Sequence, residues 1–494
     1  MGLVDNLALG FSVAFSLQNL AYCFIGVTIG TLIGVLPGIG PIAAIAMLLP
    51  TTFSLPPVSA LIMLAGIFSG SMYGGSTTSI LVKLPGESAS VVTCLDGYEM
   101  ARQGRAGPAL AIAAYGSLFA GTVCTMLIAV FAPPLASMAL EFGAPEYFSL
   151  MVFALVASAV LAQGSLLKAV AMIVLGLILG TVGVDVNSGV QRFNFGIPAL
   201  ADGISFVVIA MGLFGFAEIV ANLAQGEGQR TLLTTRIGRL YPSRADLRQS
   251  WRAILRGTAV GTFFGTLPGA GPTVSSFASY ALEKKLAKDP SRFGKGAIEG
   301  VAGPETANNA AAQCAFIPTL TLGIPATATM ALMLGALTIQ GIAPGPQVMT
   351  QNPQLFWGLI VSMWIGNVML LVLNLPLIGL WVRLLSVPYR MLFPAIMAFM
   401  AIGVYSLNNQ PLEIYLTILL GVLGYVFVQL KCEPAPLLVA FVLGPLMEEN
   451  LRRALSISRG DPAVFVTQPI SAGFLAATAI LLVVMAVPLL RRRG

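Results

Sequence analysis

The sequence predicts an all-α polytopic membrane protein made of two inverted-topology repeats, with about 11–12 transmembrane helices. Each repeat is expected to hold a re-entrant hairpin and an interrupted helix. Three observations carry this reading. Only 9% of the 494 residues are charged and 57% are hydrophobic, against about 25% charged in a soluble domain. The stretch GTLIGVLPGIGP at 30–41 returns as GTFFGTLPGAGP at 261–272, with eight of twelve positions identical. The basic residues gather in a few segments, as the excess of Lys and Arg in cytoplasmic loops requires.

The first repeat is placed at 1–224, with a hairpin at 20–50 and an interrupted helix at 57–84. Apolar stretches long enough to cross a bilayer, roughly 20 residues, follow at 108–133, 146–164, 166–183 and 197–223. The segment 225–256 holds seven arginines against Glu227 and Asp246 and reads as a basic cytoplasmic linker. The second repeat is placed at 257–447, with a hairpin at 257–282, an interrupted helix at 296–325 and spans at 354–380, 391–406, 412–430 and 434–447. A C-terminal loop and one extra helix complete 448–494, with Arg491–Arg493 on the cytoplasmic side.

Orientation follows from charge. Both 225–256 and 283–299 are basic, and only about 26 apolar residues separate them. A chain that starts and ends on one side has not crossed, so 257–282 is expected to enter the membrane and return. Residues 1–20 and 50–60 contain no Lys or Arg, which marks periplasmic flanks for the first hairpin. Five crossings between the hairpins would invert one repeat relative to the other. Segment 448–470 fits badly: it would be periplasmic, yet it holds Arg452, Arg453 and Arg459 beside Glu448, Glu449 and Asp461.

Both hairpins carry glycines every four residues before the break: Gly26, Gly30 and Gly34, then Gly257, Gly261 and Gly265. Small residues at this spacing let helix backbones approach closely in a membrane. At each tip proline removes an amide donor and glycine permits a tight turn. Irregular backbone at membrane depth is tolerated only where protein buries it or it lines a wet cavity. Paired broken helices in two halves are the best sequence pointer to a transporter's central site. The tip residues Pro37, Gly38 and Gly40, with Pro268, Gly269, Gly271 and Thr273, are therefore candidate substrate-binding groups.

A second break follows each hairpin, in SMYGGSTTSILVKLPGESAS (71–90) and AAQCAFIPTLTLGIPATATM (311–330). Pro85 and Pro325 stand in equivalent places. Ser76, Thr77 and Thr78, with Thr321 and Pro325, join the candidate substrate-binding set, because hydroxyls and free amides donate to a carboxylate without burying a full opposite charge. Serine and threonine also bond their own helix backbone in membranes. Lys83 could meet an anion or snorkel to the interface. Within VAGPETANNAAA (301–312), Glu305, Asn308 and Asn309 share one helix face. An intramembrane acid is a functional candidate by default. Acid plus amide oxygens suits a Na⁺ site or a protonatable coupling group; interhelical hydrogen bonding is the other reading.

Composition excludes some classes. The net charge of +6 follows loop placement and implies no nucleic-acid partner. Five scattered cysteines without CxxC spacing read as packing thiols, and no metal site is expected. The chain has no histidine, so an intramembrane enzyme would have to use Lys or a carboxylate as its base. Inverted interrupted repeats favour a carrier over a static pore.

The two LPGxGP tips, GGSTTSILVKLPGE, the run from AGPETANNAAA to IQGIAPGP, and GPLMEENLRRAL resemble the large membrane subunit of the tripartite tricarboxylate transporters over nearly the whole chain. The resemblance implies a multi-pass protein of the bacterial inner membrane. It further implies a binding-protein-dependent secondary transporter importing di- or tricarboxylates or related organic anions. Its implied partners are a small four-helix membrane subunit and a periplasmic solute-binding protein. No cofactor is expected beyond a coupling Na⁺ or H⁺.

Overall fold

The computed structural model describes residues 2–36, 40–162, 165–185, 188–224, 240–384 and 389–491, with backbone only at 384, 389–392, 395, 399, 407 and 484–491. The protein is all-α and polytopic. Among the described residues seven helices are long and apolar enough to cross a bilayer. Sheet is confined, among those residues, to one two-stranded ribbon, Gly183–Val184 paired antiparallel with Gln191–Arg192.

Helix α1 (Leu3–Ala14) leads into α2 (Leu17–Val35), whose first turn is capped by Ser16 accepting from the Asn19 amide. After the first tip, α3 (Pro41–Leu48) starts on the proline that can occupy a first helical turn without losing a bond. Helix α4 (Pro57–Val82) is 26 residues long, about 39 Å at 1.5 Å per residue, and its apolar window is 89% buried inside the protein. There follow α5 (Thr93–Arg102), α6 (Ala106–Ala139), α7 (Ala144–Leu161), α8 (Leu166–Gly180) and α9 (Phe206–Ala224).

The second half opens with α10 (Arg244–Gly265), the second tip and α11 (Gly271–Leu286). Then come α12 (Glu299–Cys314), α13 (Phe316–Leu322) and α14 (Ala328–Ile339). Helix α12 is buried from Gly300 to Cys314 although it carries Glu305, Asn308, Asn309 and Gln313. The remaining long helices are α15 (Pro353–Asn374), α16 (Tyr389–Asn408), α17 (Pro411–Gln429), α18 (Ala435–Ile457) and α19 (Pro469–Arg491).

The glycine triplets set how each half packs. A Cβ on Gly26, Gly30 or Gly34 would collide with the carbonyls of Met63, Ile67 and Ser71 on α4. Gly257, Gly261 and Gly265 stand in the same relation to Gly303, Ala307 and Ala311 on α12. The partner positions of the second set lie 240 residues after those of the first. The conformational parallel continues past the helix ends. Lys83 and Gly323 are both left-handed, at φ 59° and 70°. Glu87 and Thr327 are both extended, at φ −150°, ψ 166° and φ −143°, ψ 166°. Gly30→Ala should therefore lower the melting temperature of the solubilised protein, since overpacking costs about 1–3 kcal/mol. Gly473→Ala has open space around it and serves as control. Equal melting of Gly30→Ala and wild type would show that this contact is loose.

Two expected boundaries move. The basic stretch 225–256 is not linker throughout. Residues 225–239 lie outside the described residues, and a helix begins at Arg244, where Ser243 accepts from the Asp246 amide and Asp246 answers the Ser243 amide. That box is strengthened by an ion pair between Asp246 and Arg105. At the other end, α18 runs to Ile457, so Glu448–Arg453 are helical rather than part of a loop. Arg452 bonds Asp185 at 2.9 Å and Glu448 at 2.6 Å, and Arg192 bonds Glu448 at 2.8 Å. The charges that fit the topology badly thus include a network between α18 and the ribbon at 183–192.

Candidate functional site

Both tips and both second breaks meet around one cavity of about 310 Å³. Gly40 and Pro41 come from the first tip; their equivalents Gly271 and Pro272 come from the second. The second breaks supply Glu87 and Ser88 from one half, and Ala326 and Thr327 from the other. The ends of α7 and α9 close the wall with Ser158 and Glu218, and Glu433 stands before α18.

The broken segments are knitted to one another. The Gly269 amide donates to the Ala326 carbonyl at 2.8 Å, tying the second tip to the second break. Ser88 and Thr273 share a hydroxyl hydrogen bond of 2.8 Å between the first break and α11. The Gly40 amide donates to Glu218 Oε1 at 3.3 Å. Gly271 is left-handed at φ 55°, and a Cβ there would meet the Thr327 methyl at 2.7 Å. Glycine is therefore required at this point by conformation and by space together.

Of the candidate substrate-binding residues, Gly40, Gly269, Gly271 and Thr273 line this cavity. Pro37 and Gly38 lie outside the described residues. Pro268 and Pro325 are buried in the tip and break without reaching the wall. The hydroxyls on α4 and α13 turn elsewhere. Ser76 donates to Glu305 Oε2 at 2.5 Å, Thr78 to the Gly75 carbonyl at 2.8 Å, and Thr321 to the Ile317 carbonyl at 2.7 Å. Thr77 is buried beside Tyr73 and Asn374. Lys83 is exposed and lies over the Tyr98 ring at 5.3 Å, away from the cavity.

Glu305, Asn308 and Asn309 form a second layer behind the first break. Glu305 is fully buried and accepts from the hydroxyls of Ser76 and Thr93, one on each oxygen. Asn309 Nδ2 donates to Ser117 Oγ at 2.7 Å and to the Glu305 carbonyl at 3.1 Å. Asn308 Nδ2 donates to Glu87 Oε1 at 2.9 Å, and its Oδ1 is buried without a partner among the described residues. Asn308 thus links the inner acid's helix to an acid on the cavity wall.

Glu87, Glu218 and Glu433 are absent from the set the sequence suggests. The signal is present for two of them: Glu87 is the acid of LPGE immediately after the break, and Glu218 interrupts the apolar stretch 197–223. The wall contains these three carboxylates and no Lys or Arg among the described residues. Amides and hydroxyls on this wall are groups that can donate to a carboxylate, and Glu87 and Glu218 stand among them.

Comparison with known proteins places the chain among relatives by sequence. An uncharacterised 52.8 kDa protein from the TAR-I ttuC' 3′ region of Agrobacterium vitis is 59% identical over 493 residues, 100% of this chain and 98% of that protein. A second uncharacterised protein, from the TAR-II ttuC' 3′ region of the same organism, is 60% identical over 233 residues, 47% of this chain and 96% of that protein. No solved structure matches the chain. Residues 20–439, which include both tips, both breaks and the acids around the cavity, match one family pattern, and the chain belongs to the tripartite tricarboxylate transporter TctA family.

Proposed function

We propose that this multi-pass chain is the transport subunit of a binding-protein-dependent secondary transporter. It imports di- or tricarboxylates, or related organic anions, by alternating access and is driven by a Na⁺ or H⁺ gradient. The observation that carries this reading is the single cavity on which the tips and breaks of both halves converge, walled by three carboxylates and, among the described residues, no basic side chain. Gly40, Gly269, Gly271 and Thr273 hold the substrate, with Pro268 and Pro325 shaping the second tip and break. Ser76, Thr77, Thr78 and Thr321 support the breaks. Glu305, Asn308 and Asn309 form the coupling-ion centre, joined to the cavity through Glu87. The two halves are inverted repeats in a bacterial inner membrane, the C-terminus is cytoplasmic, and the chain works with a small four-helix membrane subunit and a periplasmic solute-binding protein.

The test is reconstitution of the chain with its small subunit in vesicles, supplied with the binding protein carrying labelled carboxylate. Uptake should require the binding protein and an imposed Na⁺ or H⁺ gradient, and preloaded unlabelled substrate should drive counterflow. Uptake without either requirement would overturn the coupled reading. Downhill flux without counterflow would identify a pore.

A further inference from the structure

A second cavity, of about 520 Å³, lies at the base of the 244–286 hairpin, away from the carboxylate-walled site. Its volume is within the range of small-molecule sites. Helices α10 and α11 and the loop 287–299 form it, with five basic side chains: Arg248, Arg252, Arg256, Lys288 and Arg292. Two of these are already answered. Arg256 makes a bidentate pair with Glu283, Nε to Oε1 at 2.7 Å and Nη2 to Oε2 at 2.5 Å, and Arg292 bonds Glu299 at 2.8 Å. Arg248, Arg252 and Lys288 have no ion pair among the described residues and leave the cavity positive.

An apolar strip runs beside this charge. Leu247, Trp251 and Leu255 follow one another every four residues, one position before Arg248, Arg252 and Arg256. All three face outward, at 44%, 48% and 45% exposure. The Arg252 guanidinium lies 5.5 Å from the Trp251 ring centroid, joining the two strips. Beyond Gly257 the same helix carries the apolar stretch that packs on α12. Tryptophan at such a junction is placed as interfacial aromatics are. A positive recess bordered by outward apolar side chains is complementary to one ligand with both features. A small soluble anion would use the charges and leave the strip bare.

We propose that this cavity binds the headgroup of an anionic phospholipid, with its acyl chains along Leu247, Trp251 and Leu255. Basic pockets at the ends of membrane helices recognise such headgroups by charge. The lipid phosphate would bridge Arg248, Arg252 and Lys288, and so join the two arms of the hairpin at their base.

The test is native mass spectrometry of the full chain titrated with phosphatidylglycerol or with phosphatidylcholine of the same acyl composition. Wild type should retain phosphatidylglycerol selectively. The R248A/R252A/K288A variant should retain it on the order of 100-fold more weakly, from the contribution of each basic residue near anionic lipid. Phosphatidylcholine retention should be the same in both. Photo-crosslinking of wild type with diazirine-bearing phosphatidylglycerol, which does not depend on a variant folding, should label peptides spanning 247–255. Labelling elsewhere, or equal phosphatidylglycerol retention by the triple variant, would overturn the proposal. Displacement of the lipid by glycerol phosphate or citrate at matched concentration would also overturn it, in favour of a soluble-anion site.

Discussion

Valine in place of Gly269 should abolish carboxylate uptake while the chain remains folded and inserted. Gly269 has φ 82°, and a Cβ there would stand 2.6 Å from the Ser158 Cα and 3.0 Å from the Ala157 carbonyl. The left-handed conformation costs an L-residue roughly 1–2 kcal/mol, and the backbone of α7 adds an overpacking cost of about 1–3 kcal/mol. Relief requires the tip to withdraw, which breaks its bond to the Ala326 carbonyl and carries Gly271 and Thr273 out of the cavity wall. Gly104→Val separates the two effects. Gly104 has φ 78° with nothing within 4 Å, so that variant bears the strain without touching a site and should transport normally. Vesicle uptake and size-exclusion profiles measure both. Wild-type uptake by Gly269→Val would mean that the second tip is only a turn.

The legibility of this protein follows the range of each signal. The twin tips and glycine triplets can be read because close helix contact imposes a local spacing, and the structure sets both triplets against equivalent carbonyls of α4 and α12. The hydroxyls are ambiguous for a physical reason. Serine and threonine can bond a carbonyl of their own helix as readily as a ligand, and Thr78 and Thr321 do so. Glu87 and Glu218 escape notice because a search for an anion site looks for donors, and a carboxylate accepts rather than donates. The Arg452 network is beyond reach. Its partners Asp185 and Arg192 lie more than 250 positions away in the chain, and no local pattern announces such a meeting.

Glutamine at Glu305 should uncouple transport from its driving ion. The fully buried carboxylate is held by the Ser76 and Thr93 hydroxyls and has no basic partner among the described residues. An uncompensated charge at membrane depth is strongly unfavourable. Neutralising it takes a proton or a monovalent cation, and Gln keeps the shape while removing that demand. If protons drive uptake, wild-type activity should fall as pH rises and the carboxyl loses its proton, whereas Glu305→Gln should show a flat profile. If Na⁺ drives it, the variant should need far more Na⁺. Replacing a charged oxygen ligand of the ion by a neutral amide oxygen should raise that requirement by at least about 10-fold, or ~1.4 kcal/mol. Glu87→Gln probes the outer end of the same link. It removes one negative charge from the cavity wall and weakens the bond accepted from Asn308, so counterflow exchange should persist while gradient-driven accumulation fails. Wild-type ion and pH dependence in both variants, with stable protein, would make the Glu305 cluster interhelical glue and move the coupling site to Glu218 and Glu433.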